Sequence, residues 1–276
     1  MKVLAVGATG KFAGLVVPAL ARRGVEVRAL VHDQAKADTA VAGGAAETVL
    51  ADLRDLDSLR AAASGVEGVF HITPAFAPDA ETLGLNMVRA SLDAGVRKFV
   101  YSGVYHPSLS LVNHASTRPI EEALYESELS FTILQPGMFM QGLDEPYRSA
   151  VRTGRLTMPW SKSSKMTYVD YRDVAEVVAI ALTGDALDHG TFELAVGGTL
   201  DRIEVAALMS TAAGRDIVAV DPDAPPQSPD LPPGLTAMFD AYDRHGLHGG
   251  NDLVLRTVLG RRPTSVSDYL HELATR

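Results

Sequence analysis

Val3-Leu4-Ala5-Val6-Gly7-Ala8-Thr9-Gly10-Lys11-Phe12-Ala13-Gly14 opens the chain and decides its fold. A short apolar strand runs into Gly-x-x-Gly-x-x-Ala, and an amphipathic helix is expected over about 12–23. Gly7 lets the chain turn sharply off the strand. Gly10 has no side chain, so a pyrophosphate can approach the backbone, and Ala13 is small enough for helix and sheet to pack closely. The free N–H groups and the positive dipole end of the helix would face the phosphates. Gly7, Thr9, Gly10, Lys11 and Phe12 are therefore candidate cofactor contacts. The alternative is a tight strand–helix turn with no ligand, but the motif opens a βαβ series, which is the context it requires.

Working outward, strand-like runs recur at 2–6, 25–31, 47–51, 68–72, 98–102 and 130–135. Helical patterns fill 13–23, 57–63 and 80–94, and each stops at a glycine: Gly24, Gly65 and Gly95. Nearly continuous apolar strands alternating with helices predict an α/β fold, a doubly wound parallel sheet of Rossmann type. The second half is less regular. Runs 165–168 and 191–195 read as strands that rejoin the sheet. Runs 173–182, 203–213, 235–245, 252–259 and 265–274 read as helices. Residues 221–233, rich in Pro and Asp, read as a stiff connector or flap. The expected organisation is a dinucleotide-binding domain over 1–140, rejoined by 165–196. A smaller, mostly helical C-terminal lobe would take 141–164 and 197–276, with a cleft at the lobe boundary.

Composition narrows the function. The 276 residues suffice for one large domain or two intimate ones, and 46% are hydrophobic, enough for a substantial core. With no cysteine, disulfides and thiolate metal sites are excluded. A net charge of −9 without long basic runs disfavours direct nucleic-acid binding. The start is not that of a signal peptide, and no apolar run reaches membrane-spanning length, so a cytoplasmic, membrane-free protein is expected. The eight histidines form no His-x-x-x-His pair with a nearby acid, so no metal site is expected.

Several further stretches carry a family resemblance. They are Ala29-Leu30-Val31-His32, Val69-Phe70-His71-Ile72-Thr73-Pro74, Lys98-Phe99-Val100-Tyr101-Ser102 and Phe131-Thr132-Ile133-Leu134-Gln135-Pro136-Gly137-Met138-Phe139-Met140. Later come Tyr168-Val169-Asp170-Tyr171-Arg172-Asp173-Val174-Ala175 and Leu259-Gly260-Arg261-Arg262-Pro263-Thr264. With Gly7-Ala8-Thr9-Gly10 they make the chain resemble the NmrA-like family of atypical short-chain dehydrogenases, over nearly its whole length. The resemblance implies a dinucleotide-binding protein, usually of NADP(H). It does not fix one reaction, because the family holds reductases of quinones and other carbonyl-like compounds as well as non-catalytic redox sensors.

Cofactor choice is set after the second strand, where NAD-specific folds usually carry an acid for the ribose 2′-hydroxyl. Here Val31 is followed by His32, a position where relatives often have Arg facing a 2′-phosphate. Lys36, one helical turn on, would supply the permanent charge, whereas Asp33 would repel a phosphate. NADP(H) is favoured and NAD(H) stays open. Asp52 would meet the adenine and Leu53 offer a backbone group, or Asp52 would cap a helix. Thr73, Pro74 and Ala75 would pass the ribose and pyrophosphate, and Gln135, Pro136 and Gly137 the nicotinamide.

The Tyr-x-x-x-Lys of many short-chain dehydrogenases is missing. Where relatives have His-x-x-x-Lys, this chain has His114-Ala115-Ser116-Thr117-Arg118, followed by Pro119. Proline belongs in a helix's first turn, so a helix should begin near Ser116 or Thr117. Arg118 can contact ribose or nicotinamide but cannot donate a proton. The candidate catalytic donors are His114 and Tyr105, with Tyr101 or water as alternatives. Met138, Phe139, Met140 and Trp160, with Met158 and Pro159, suit the wall of a planar apolar substrate, or else ordinary packing. Two functions fit: an NADPH-dependent oxidoreductase of a small quinone, enone or carbonyl, or a sensor that binds the dinucleotide and acts through a protein partner. A homodimer is compatible with both.

Overall fold

The structure, a computed structural model, describes residues 1–222, 231–232 and 234–276. Most of the 221–233 connector therefore lies outside the described residues. The chain separates into two compact units, Met1–Gln135 with Val174–Glu193, and Pro136–Asp173 with Leu194–Arg276.

The first unit is built on β1 (Lys2–Ala5), β2 (Glu26–Val31), β3 (Glu47–Leu50), β4 (Gly68–Ile72), β5 (Lys98–Ser102) and β6 (Ser130–Pro136). Their order is β3-β2-β1-β4-β5-β6, every pairing among them is parallel, and strand Gly190–Leu194 adds a seventh member beside β6. This is a doubly wound sheet whose order reverses between β1 and β4. β5 is buried at all five positions and β4 at four of five, because helices cover both faces. The helices are α1 (Val16–Ala21), α2 (Ala37–Ala42), α3 (Leu56–Ala63), α4 (Ala80–Asp93), α5 (Val112–Ala115), α6 (Arg118–Tyr125) and, for most of its length, Tyr171–Thr183. On one face Leu59, Met87 and Ile120, from α3, α4 and α6, pack with Leu4, Val69 and Phe99 of the sheet. Burying each such side chain contributes about 1.5–3 kcal/mol.

Two expectations need correction here. The 12–23 helix is shorter: a 3-10 turn, Ala13–Leu15, leads into α1. Gly10 and Gly14 hold the loop in successive turns instead, Gly10 N–H to Gly7 O at 2.8 Å and Gly14 N–H to Gly10 O at 2.9 Å. The 165–168 strand does not rejoin the main sheet. Tyr168–Val169 pairs in parallel with Met138–Phe139 in a separate ladder. The 3-10 turn Gln34–Lys36 and α2 also fill a stretch where the sequence pattern marked no helix.

The second unit is mostly helical, as expected, with Asp144–Thr153, Arg202–Ala213, Leu235–His245, Leu253–Leu259 and Val266–Ala274. It also holds a parallel pair the sequence did not announce, Arg155–Thr157 with Val218–Val220. The helix Asp144–Thr153 was likewise not legible in the pattern. Capping boxes at Asp201/Glu204 and Ser265/Asp268 start two of its helices. Buried Asp173 accepts from Thr264 N–H at 2.7 Å and from Arg261 Nη2 at 2.7 Å. The two late family motifs thus meet through one carboxylate.

Candidate functional site

Ligands of open α/β sheets bind beyond the carboxyl ends of the strands, at the point where strand order reverses. A cavity of about 660 Å³ lies there, lined by Val6, Gly7 and Thr9 after β1, Leu30 and His32 at β2, Leu50 to Asp55 after β3, and Ile72, Pro74 and Ala77 after β4. Its volume is in the range of small-molecule sites, roughly 300–1,000 Å³. Gly7 has φ +76°, and a Cβ there would sit 3.1 Å from Ala13 Cβ and 3.2 Å from Ile72 Cγ2. Its lack of a side chain is thus a requirement of the turn. Gly10 is exposed. Among the sequence candidates, Gly7, Thr9, His32, Asp52, Leu53 and Pro74 share this cavity. Gly10, Lys11 and Phe12 stay on the same loop outside its wall, with Lys11 Nζ 5.9 Å from the Phe12 ring centroid. Lys36 and Ala75 are exposed and outside the wall as well.

The charged lining of the cavity is Asp52, Arg54 and Asp55, with the His32 imidazole at the β2 end. His32 and Lys36 are both exposed. Asp33, which would repel a phosphate, turns its carboxylate onto Ala35 N–H at 2.9 Å and caps the 3-10 turn. Asp52 behaves partly as a turn former, accepting from Arg54 N–H at 2.9 Å, while Asp55 caps α3. Asn86 Nδ2 donates to Leu53 O at 2.9 Å. Arg54 and Ser58 also line the cavity. Sequence reasoning missed both, although Arg54 directly follows Asp52-Leu53 and Ser58 lies in the first turn of the next helix. This set of groups fits an adenine dinucleotide: a glycine turn bare at Gly7 and Gly10, an imidazole at the β2 end, and an acid after β3.

Past β4 and β5 lies a buried polar cluster. His71 is fully buried and stacks on Tyr101 with centroids 5.8 Å apart. Its Nε2 pairs with Thr73 Oγ1 at 3.2 Å, and Thr73 Oγ1 meets Tyr101 Oη at 3.4 Å. Burial pushes the His71 imidazole down to about 3 and the Tyr101 phenol upward. Thr73 is thereby held by its neighbours. Gln135 is similarly committed, its amide donating to both oxygens of buried Glu121 at 3.0 Å.

The proposed proton donors sit in the stretch between β5 and α6. The helix break falls as the proline demanded: α5 ends at Ala115, Thr117 stands at the N-cap position of α6 with its hydroxyl donating back to His114 O, and Arg118 is the first, exposed residue of α6. His114 is buried, with Nδ1 3.1 Å from His106 O and Nε2 unpartnered. Burial holds its imidazole below the ordinary histidine range, outweighing its backbone hydrogen bonds, so it is neutral at pH 7. Burial, then the nearby Glu193 carboxylate, pushes Tyr105 up to about 12. Neither group is tuned as an acid for neutral pH.

In the second unit, Pro136 and Gly137 are buried. Gly137 N–H donates to Leu194 O at 2.9 Å, and a Cβ there would lie 3.1 Å from Thr167 Cγ2. Its bareness serves the approach of the 167 backbone. Of the expected substrate wall, Met138 and Phe139 are half-buried. Met140 is fully buried, and Trp160 lies against Phe239 and Tyr242. Both are buried, which matches the ordinary-packing alternative for these two positions. Among the described residues there is no cluster able to hold a metal, and no helix is long and apolar enough to cross a membrane.

Known proteins share this fold over most of the chain. Quinone oxidoreductase 2 of Escherichia coli (strain K12) is 23% identical over 278 residues, 97% of this chain and 96% of that protein. The solved structure of Citrobacter sp. triphenylmethane reductase complexed with NADP(H) matches with a TM-score of 0.85 at 21% identity, covering 99% of this chain and all of that one. At such identity the likeness speaks for the fold. An NAD(P)H azoreductase of Xenophilus azovorans is 34% identical over 225 residues, 78% of this chain and 75% of that protein. The model of the NmrA-like family matches residues 1–247, and the chain belongs to that family.

Proposed function

We propose that this protein is an NADPH-dependent oxidoreductase that reduces a planar conjugated acceptor, a quinone or an azo compound. The observation that carries the reading is the cavity at the strand-order reversal, with its glycine turn, His32 and Asp52. The names of the relatives, an NAD(P)H azoreductase and a quinone oxidoreductase, support both cofactor and reaction class.

In this reading the glycine turn accepts the pyrophosphate, and His32 and Lys36 favour the 2′-phosphate. Asp52 and the Leu53 backbone take the adenine. Bound NADPH supplies a hydride. Arg118 offers a fixed charge to ribose or nicotinamide. Met138 and Phe139 are the apolar candidates for contact with the acceptor. The acceptor class follows from the state of the acids. With His114 neutral and Tyr105 held protonated, an acceptor that forms a stabilised anion and takes its proton from water is favoured over a simple ketone.

The test is NADPH oxidation across a panel of quinones, azo compounds, enones and simple ketones, after direct titration has established that NADPH binds. Turnover of quinones or azo compounds with ketones inert is expected. Bound NADPH that no acceptor oxidises, together with a cofactor-dependent conformational change, would replace this reading with a sensor.

A further inference from the structure

Among the residues lining the cavity, Arg54 alone carries a permanent positive charge. Its guanidinium forms a two-pronged pair with Asp79: Nε to Oδ2 at 2.7 Å and Nη2 to Oδ1 at 2.9 Å. Asp79 is the N-cap residue of α4, a position where aspartate normally caps its own helix. Here it makes no such bond and gives its carboxylate to Arg54 instead. The backbone around Arg54 is also fixed, through Arg54 N–H to Asp52 Oδ1, Asn86 to Leu53 O, and Ser58 Oγ to Asp52 O at 3.3 Å. An exposed planar cation is therefore paired in a fork and its charge balanced at the cavity wall, beside the residues assigned to adenine.

We infer that the Arg54–Asp79 fork is the outer wall of the purine half of the site. Asp79 holds the guanidinium plane, and Arg54 presents its flat face to the adenine ring. This rests on the dinucleotide reading above. A guanidinium stacks on aromatic faces, and an ammonium lacks that plane. With its charge balanced by Asp79, the wall selects a planar base rather than an additional phosphate. Asp79 is a positioning residue and Arg54 the contact.

The experiment measures binding of ADP-ribose and, separately, nicotinamide mononucleotide to wild type, Arg54→Ala, Arg54→Lys and Asp79→Asn, with unfolding curves for each. ADP-ribose should weaken about five- to tenfold in Arg54→Ala and nearly as much in Arg54→Lys. Asp79→Asn should weaken it by a smaller factor. Nicotinamide mononucleotide should bind all four alike, and the loss in turnover should fall on KM for NADPH rather than on kcat. Unchanged ADP-ribose affinity in Arg54→Ala, full rescue by lysine, or equal losses for both fragments would each overturn the inference. If wild type binds NADPH but the variants fail to discriminate, only the wall is wrong. If wild type binds neither ADP-ribose nor NADPH, the dinucleotide reading falls with it.

Discussion

Gly7 and Gly10 stand three residues apart in one motif, yet the structure gives them different duties, and a pair of alanine substitutions should separate them. At Gly7, φ is +76°, and the new methyl would meet Ala13 Cβ at 3.1 Å and Ile72 Cγ2 at 3.2 Å. Left-handed backbone costs a non-glycine residue about 1–2 kcal/mol, and overpacking a tight site costs about 1–3 kcal/mol. Gly7→Ala should therefore destabilise the ligand-free protein by about 2–5 kcal/mol, lowering Tm by roughly 3–9 °C for a chain of this size. Gly10 does not have positive φ, and its methyl would meet only Gly7 O, at 3.1 Å. That crowding is offset by the reduced entropy of the unfolded chain, a gain of about 0.4–1 kcal/mol. Gly10→Ala should melt within a few degrees of wild type but bind NADPH at least about tenfold more weakly, or ~1.4 kcal/mol, because the methyl enters the pyrophosphate path. Urea unfolding without ligand and fluorescence titration with NADPH measure the two effects. A destabilised Gly10→Ala that binds normally, or a Gly7→Ala as stable as wild type, would refute the reasoning.

Two other outcomes are expected. Lys36→Ala should weaken NADPH several-fold more than NADH, and His32→Arg should tighten NADPH selectively; equal effects on both nucleotides in parallel titrations would remove these residues from 2′-phosphate recognition. His71 has a folded-state value near 3 against 6.5 unfolded, so below pH 6.5 the unfolded chain binds the extra proton and stability is lost as pH falls. That slope, approaching about 1.4 kcal/mol per pH unit, should be present in wild type and missing in His71→Leu when unfolding curves are measured from pH 7 to 5; identical slopes would contradict a buried neutral imidazole.

The strands and glycine stops of the first unit were legible because they are local. An apolar run buried on both faces needs no knowledge of its partners, and Gly24, Gly65 and Gly95 each have positive φ beyond a helix. The Gly7 motif, His32, Asp52 and Pro74 were found for the same reason: each directly follows a strand whose carboxyl end faces the cavity. The 165–168 segment was misassigned because a short apolar strand does not specify which edge it joins. Helix Asp144–Thr153 was missed because its four charged residues weaken the apolar period.

The side-chain states were set elsewhere. Nothing in the order of residues says that His114 is buried, that Asp33 caps a turn, or that Trp160 spends its face on Phe239 and Tyr242. Arg54 and Asp79 lie 25 residues apart and meet only when β3 and α4 are in place. By itself, then, the sequence determined the doubly wound sheet, the switch point and the glycine turn, since each depends on backbone preferences and on periodicity within a dozen residues. Only the tertiary structure decided which polar side chains keep their protons and which reach the cavity, because desolvation and pairing depend on atoms brought close from distant parts of the chain.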